Sequence, residues 1–164
     1  MSDIYLKVEG CDGDVSDDKY KQHISVQSLS LGSSNPSSVN VGVQTGSAGG
    51  GGKVIMQDVH FTKFMDKSSN TLQQKHWIGE HFKSMEFKYV ISRGDSSDEF
   101  YNVKLTDVLV TSFQHSGSGG SDLPMESLSL NFAKIECSYK ARKAEGGFEN
   151  ALKIGYDLKT AKKV

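Results

Sequence analysis

Apolar and polar residues alternate with a period of two through most of this chain, and this restricts the fold more than any other feature. Only a β-strand sends successive side chains to opposite faces, so alternation marks strands with one face in a core and one in water. Ile4, Leu6 and Val8 open the series, ended by Gly10 and Gly13 in an acidic turn. Ile24 and Val26 begin a second strand, in which the apolar phase then moves to Leu29 and Leu31, as a β-bulge or strong twist would require. Ile55, Val59 and Phe61 follow, then Met85, Phe87, Tyr89 and Ile91. Tyr101, Val103 and Leu105 come next, with Asp95–Asp98 as the hairpin loop before them and Gly94 supplying the turn. Val108–Val110 through Phe113 either continues that strand past a bulge or starts another. Leu128, Leu130 and Phe132 lie on one phase, and Ile135, Cys137 and Tyr139 on the other; Ile154, Tyr156 and Leu158 supply a final short strand. About seven or eight strands result, and long bent strands that serve two faces predict a mainly β fold, either a barrel or a tightly packed sandwich.

One segment breaks the pattern. Ser68, Ser69 and Asn70 are capping candidates, Gln73 follows Asn70 by three residues, and Gly79 fits a C-terminal cap. These signals predict one short helix, about 69–78, laid against the strands. Leu72 and His76, with Trp77 or Ile78, would form its apolar stripe, and Trp77 reads as a core or interface anchor.

At 164 residues the chain is long enough for one domain, 1–164, with a real core. A net charge of −1 leaves no whole-chain electrostatic footprint for nucleic acid. The basic cluster Lys153, Lys159, Lys162 and Lys163 reads as a solvated tail. Cys11 and Cys137 match no metal or redox spacing, and Cys137 sits on an apolar strand phase as a small core residue. The N-terminus alternates instead of showing a basic region before an apolar one, and no apolar run reaches spanning length. Synthesis in the cytoplasm is expected, with any export by a route that needs no cleavable signal, and no membrane insertion. His23, His60, His76, His81 and His115 read as surface or edge histidines with no metal-ligand motif, and no nucleophile elbow is present. No catalytic residue, metal or cofactor is expected. Trp77, Tyr5, Tyr20 and Tyr101 could offer sugar-stacking faces, which keeps a carbohydrate-binding β-sandwich as an alternative.

Between the second strand and the third lies a valine-alternating arm, Ser38–Thr45, followed by the run Gly46–Lys53. A phosphate-binding loop would need glycine at 47, where Ser47 stands, and Ser or Thr at 54, where Val54 stands. It would also have to open a helix, whereas a strand follows. Four consecutive glycines instead describe a hinge that a free chain leaves mobile, because ordering them costs much backbone entropy. An arm of this kind suggests contact with something outside the domain.

The ordered segments resemble the haemolysin-coregulated protein (Hcp) family, the tube proteins of bacterial type VI secretion systems. The matching pieces are Asp3–Lys7, Gly10–Gly13 with Asp17–Lys19 and His23–Ile24, and the glycine run into Lys53–Val54. Val59–Ser69, Gly79–Phe82, Leu105–Ser112, Ser116–Gly120 and Glu126–Ala133 with Tyr139 continue the series. Leu29 and Leu31 stand where the family has aromatic residues, and His76–Ile78 where it is smaller. The resemblance implies a two-sheet β-barrel with one short flanking α-helix and an extended β-hairpin loop at about 35–52. It implies homohexameric rings stacked into the inner tube of a contractile sheath, with spike, sheath and baseplate as partners and effector proteins in the lumen. The tube subunit would be cytoplasmic when assembled and secreted without a cleavable signal peptide. By the same resemblance the ring-stacking loop comprises Val39, Val41, Val43 and Gln44, with Gly49, Gly50, Gly51 and Gly52 as hinge.

Overall fold

The frame of the molecule is a hairpin of two long strands, β8 (Ser96–Ser116) and β9 (Met125–Tyr139), paired from Tyr101↔Tyr139 to Ser116↔Met125. The computed structural model describes residues 1–36, 53–120 and 122–164. Both long strands change direction near their middles. On β8 the register slips between Val110 and Ser112, and Asp107 adopts a φ of 56°. On β9 the buried phase passes from Phe132 to Ile135. Val108–Phe113 therefore continues the preceding strand past a bulge, which sharpens local twist and re-aims the side chains beyond it.

Each half of this hairpin belongs to a different sheet. The first half of β8 pairs β7 (Phe82–Arg93), which pairs β1 (Ser2–Val8), which pairs β2 (Ile24–Val26). On the other side, the second half of β9 pairs β10 (Leu152–Asp157), which holds β11 (Lys162–Lys163). The first half of β9 instead pairs β6 (Val59–Phe64), and β6 pairs β3 (Ser28–Ser30). Because β2 and β3 are separated by Gln27 alone, the pairings come back on themselves as a barrel. The phase shift between Val26 and Leu29 is the place where the chain leaves β1 and joins β6, with the Gln27 amide donating to the Thr62 carbonyl at 2.8 Å.

The core lies between the sheets. Leu6, Phe87 and Val103 face it from one side, Phe61, Leu128 and Leu130 from the other, all at 1 % exposure or less. Phe61 and Phe87 meet edge to face at 5.4 Å and join the two sheets. Full burial of each such ring is worth about 1.5–3 kcal/mol. The hairpin between β7 and β8 is tighter than the Asp95–Asp98 loop read from sequence. Arg93 pairs Ser96, so the turn is Gly94–Asp95, and Gly94 takes the positive φ of 55° that a two-residue connection demands.

Helix α1 spans Ser69–Ile78, with Ser68 at its N-cap position and Gly79 closing it at a φ of 68°. Its apolar stripe is not the expected one. Leu72 is buried, but Trp77 and Ile78 are 72 % and 65 % exposed, and Nδ1 of His76 hydrogen-bonds the Val110 carbonyl at 2.7 Å. The helix lies on β8 through one leucine and polar contacts. Ile55 and Ile154 also lie outside the core, at 56 % and 71 % exposure. Cys137 is only partly buried against it, and both cysteines are free. His23, read as a surface or edge residue, is 8 % exposed beneath Tyr20.

Candidate interaction surfaces

The outward face of the β3–β6–β9–β8 sheet is built of short neutral side chains. The register sets Ser28, Thr62, Ser127 and Gln114 in one row across four strands, and Ser30, His60, Ser129 and Ser112 in the next. These are the solvent-side phases of the alternation, so the strand period itself selects them. Ser28 and Thr62 hydroxyls lie 2.6 Å apart, as do His60 Nδ1 and Ser129 Oγ. A shallow groove of about 390 Å³ runs over them. No carboxylate, lysine or arginine is among these eight residues, and His60 is their one titratable group. Such a face exchanges hydrogen bonds with water or with any passing polypeptide and holds no partner by charge.

Behind one edge of that face lies a buried polar knot. Lys63 and Glu126 occupy inward positions on β6 and β9, at 0 % and 1 % exposure, with Nζ and Oε2 at 2.7 Å. Ser69, in the first turn of α1, joins them. Its hydroxyl accepts from Lys63 Nζ and from the Asp66 amide, and donates to Glu126 Oε2, each at 3.0 Å. Asp66 adds a second carboxylate at 3.0 Å from Nζ and caps the turn by accepting from the Ser68 amide and hydroxyl. The other Glu126 oxygen has no hydrogen-bond partner, and Nδ1 of His115 lies 4.0 Å from it. Beside the knot, the Cys11 thiol donates to the Ser68 carbonyl at 3.7 Å. Burial, helped by Asp66, pushes this thiol up to about 11, so it is no thiolate nucleophile at neutral pH. The arrangement fastens the helix start to two strands. Sequence reading passed over Lys63 and Glu126, although both break the apolar phase at inward positions.

A third surface is apolar. Leu6, Phe87, Val103, Cys137 and Ile154 form one row across β1, β7, β8, β9 and β10. The row faces the core, yet β3 and β6 do not reach over its last strand. Ile154 is therefore open, and so is Leu152 at 69 % exposure. A groove of about 330 Å³ lies here, walled by Phe132, Ile135, Ile154 and Tyr156 on one side and Leu31 and Met56 on the other.

The residues expected to form the stacking loop, Val39, Val41, Val43, Gln44 and Gly49–Gly52, lie outside the described residues. The chain on either side of them is described: β4 (Ser33–Ser34) pairs β5 (Ile55–Met56) antiparallel. Among the aromatic residues considered for sugar stacking, Tyr20 is 1 % exposed and offers no free platform, and its stack at 4.7 Å covers one face of Tyr5. No group of residues arranged to hold a metal occurs among the described residues, and none of their helices is long and apolar enough to cross a membrane.

The family profile described as "Type VI secretion system effector, Hcp" matches residues 5–139. The chain belongs to the Hcp family. It is similar to Protein hcp1 of Pseudomonas aeruginosa, 33 % identical over 108 residues that make up 65 % of this chain and 67 % of that one. Among solved structures, one described as that of a type six secretion system protein superposes with a TM-score of 0.90 at 31 % identity, covering 100 % of both chains. The crystal structure of Hcp1 from Salmonella typhimurium shares the fold, with a TM-score of 0.74 at 24 % identity over 99 % of each chain. This Hcp chain is thus a type VI secretion protein with the family's mainly β architecture.

Proposed function

We propose that this Hcp chain is the structural subunit of a secretion tube, acting as one domain over 1–164, without catalysis or cofactor. Six copies close into a ring, rings stack into a hollow tube inside a contractile sheath, and contraction expels the tube behind a spike. The observation that carries this reading is the neutral, hydroxyl-rich sheet face. A lumen wall has to hold effector proteins and also release them, which favours many exchangeable hydrogen bonds over fixed charges. Ser30, His60, Thr62 and Ser129 would face that lumen. The arm bearing Val39, Val41, Val43 and Gln44, hinged at Gly49–Gly52, would reach the next ring at the cost of its own ordering, giving ring-to-ring contacts of modest strength. The subunit would assemble in the cytoplasm beside sheath and baseplate and leave the cell without a cleaved signal.

Negative-stain microscopy after size-exclusion chromatography tests the reading. Rings of uniform diameter are expected, and a monomer at high concentration would overturn it. Deleting residues 38–50 is expected to leave rings and remove stacking; loss of the rings themselves would show that the arm serves ring closure.

A further inference from the structure

The two ends of the larger sheet carry opposite charge, and only one of them is apolar and open. At the β10–β11 end, Lys140, Arg142, Lys143, Lys153, Lys162 and Lys163 are exposed around Leu152 and Ile154, against the exposed carboxylates Glu145 and Glu149. At the other end, the connection from β1 to β2 exposes Glu9, Asp12, Asp14, Asp17 and Asp18 against Lys19 and Lys21. The strand order puts these ends on the two outermost pairings of one path, β11 with β10 and β1 with β2. The β10 end is also unfinished as a sheet. Its β11 neighbour pairs only Tyr156 and Asp157, so no strand among the described residues pairs the outer edge at Leu152–Ile154.

From these observations we infer that the open β10 end, with its apolar groove and basic surround, docks the acidic β1–β2 end of a second copy. The inference rests on the ring reading above and names the surfaces that make it. Charge decides the occupant. Like ends of two copies repel and unlike ends attract, so the complement of this face is on the same molecule. A contact between unlike surfaces is head to tail, and a fixed rotation per copy closes it into a ring. The exposed Ile154 and Leu152 then gain the cover that β3 and β6 do not provide.

The test is a charge exchange read by light scattering and native mass spectrometry on the full chain. Asp12→Lys with Asp14→Lys, or Lys153→Glu with Lys162→Glu, is expected to raise the dissociation midpoint of the ring at least about tenfold. A chain carrying both exchanges presents complementary ends again and should recover most of that loss. Ile154→Asp, at a site exposed in the single copy, should release folded monomer, with circular dichroism confirming the fold. If the unaltered protein forms no ring, the ring reading and this inference fall together. If it forms rings and the one-ended exchanges and Ile154→Asp leave them unchanged, only this inference is overturned.

Discussion

Lys63 and Glu126 meet at 2.7 Å with neither side chain open to solvent, and the first turn of the helix closes over them through Ser69. An ion pair in this position costs much desolvation, which its attraction and hydrogen bonds offset only while both partners remain. Lys63→Met should therefore destabilise the chain by about 3–5 kcal/mol, because it leaves a buried carboxylate unpaired. The double variant Lys63→Met with Glu126→Leu should recover most of that loss. Urea unfolding of the set checks the difference, and equal stability of the single and double variants would show that Glu126 finds another partner.

Gly13 is fixed by space. A Cβ built there would lie 2.4 Å from the His23 carbonyl oxygen and 2.7 Å from the Ile24 Cα, both backbone atoms that cannot swing away. Gly13→Ala should cost about 1–3 kcal/mol by forcing the β1–β2 connection off the sheet. Gly119→Ala, where nothing stands within 4 Å, serves as the control and should change the melting temperature little.

Alkaline pH should weaken the fold. Burial raises the Cys11 thiol from 9.0 to about 11 and the Tyr101 hydroxyl from 10.0 to about 12, and also raises Tyr5, Tyr20 and Tyr89. A group whose folded pKa lies above its unfolded one contributes stability that is complete below the unfolded value and lost as pH rises through the folded one. Unfolding free energy should thus be flat up to about pH 8.5 and decline between about pH 9 and 12. Chemical denaturation at stepped pH measures it. Cys11→Ala should shift the onset upward, and Cys11 in the native chain should react with thiol reagents only at the rate of local opening.

Charge on the hydroxyl face should disturb cargo without disturbing folding. Ser129→Glu removes the partner of His60 and places a carboxylate among neutral neighbours at a half-buried position. Rings are expected to persist in microscopy, while recovery of co-expressed effector with the rings should fall at least about tenfold, as charge adds or removes several hydrogen bonds' worth of affinity. Unchanged recovery would place the cargo surface elsewhere.

Most strands were legible because a period of two leaves little else for a chain to do. The phase change between Val26 and Leu29 was legible too, but as a bulge or twist within one strand, whereas the chain there leaves β1 and joins β6. Ile154 shows where periodicity stops. Alternation reports which face of a strand a residue occupies, and it cannot report whether a second sheet reaches far enough to cover that face. Trp77 shows the converse, since helix α1 is held by Leu72 and hydrogen bonds instead of a stripe. Lys63 and Glu126 were hidden for another reason. Each alone looks like a flaw in its strand, and their meeting depends on the pairing of β6 with β9. The stacking loop stands as the resemblance gave it, because Val39–Gly52 lies outside the described residues.

Since β8 and β9 run through both sheets, the sheets have no joint between them. One cannot slide or swing on the other without deforming the same ribbon of hydrogen bonds. A load applied along the two strands acts in shear on the Tyr101–Ser116 ladder, on both sides of its slip between Val110 and Ser112. For the tube subunit proposed above, such a body suits a part that is accelerated abruptly and has to arrive with its bore still round.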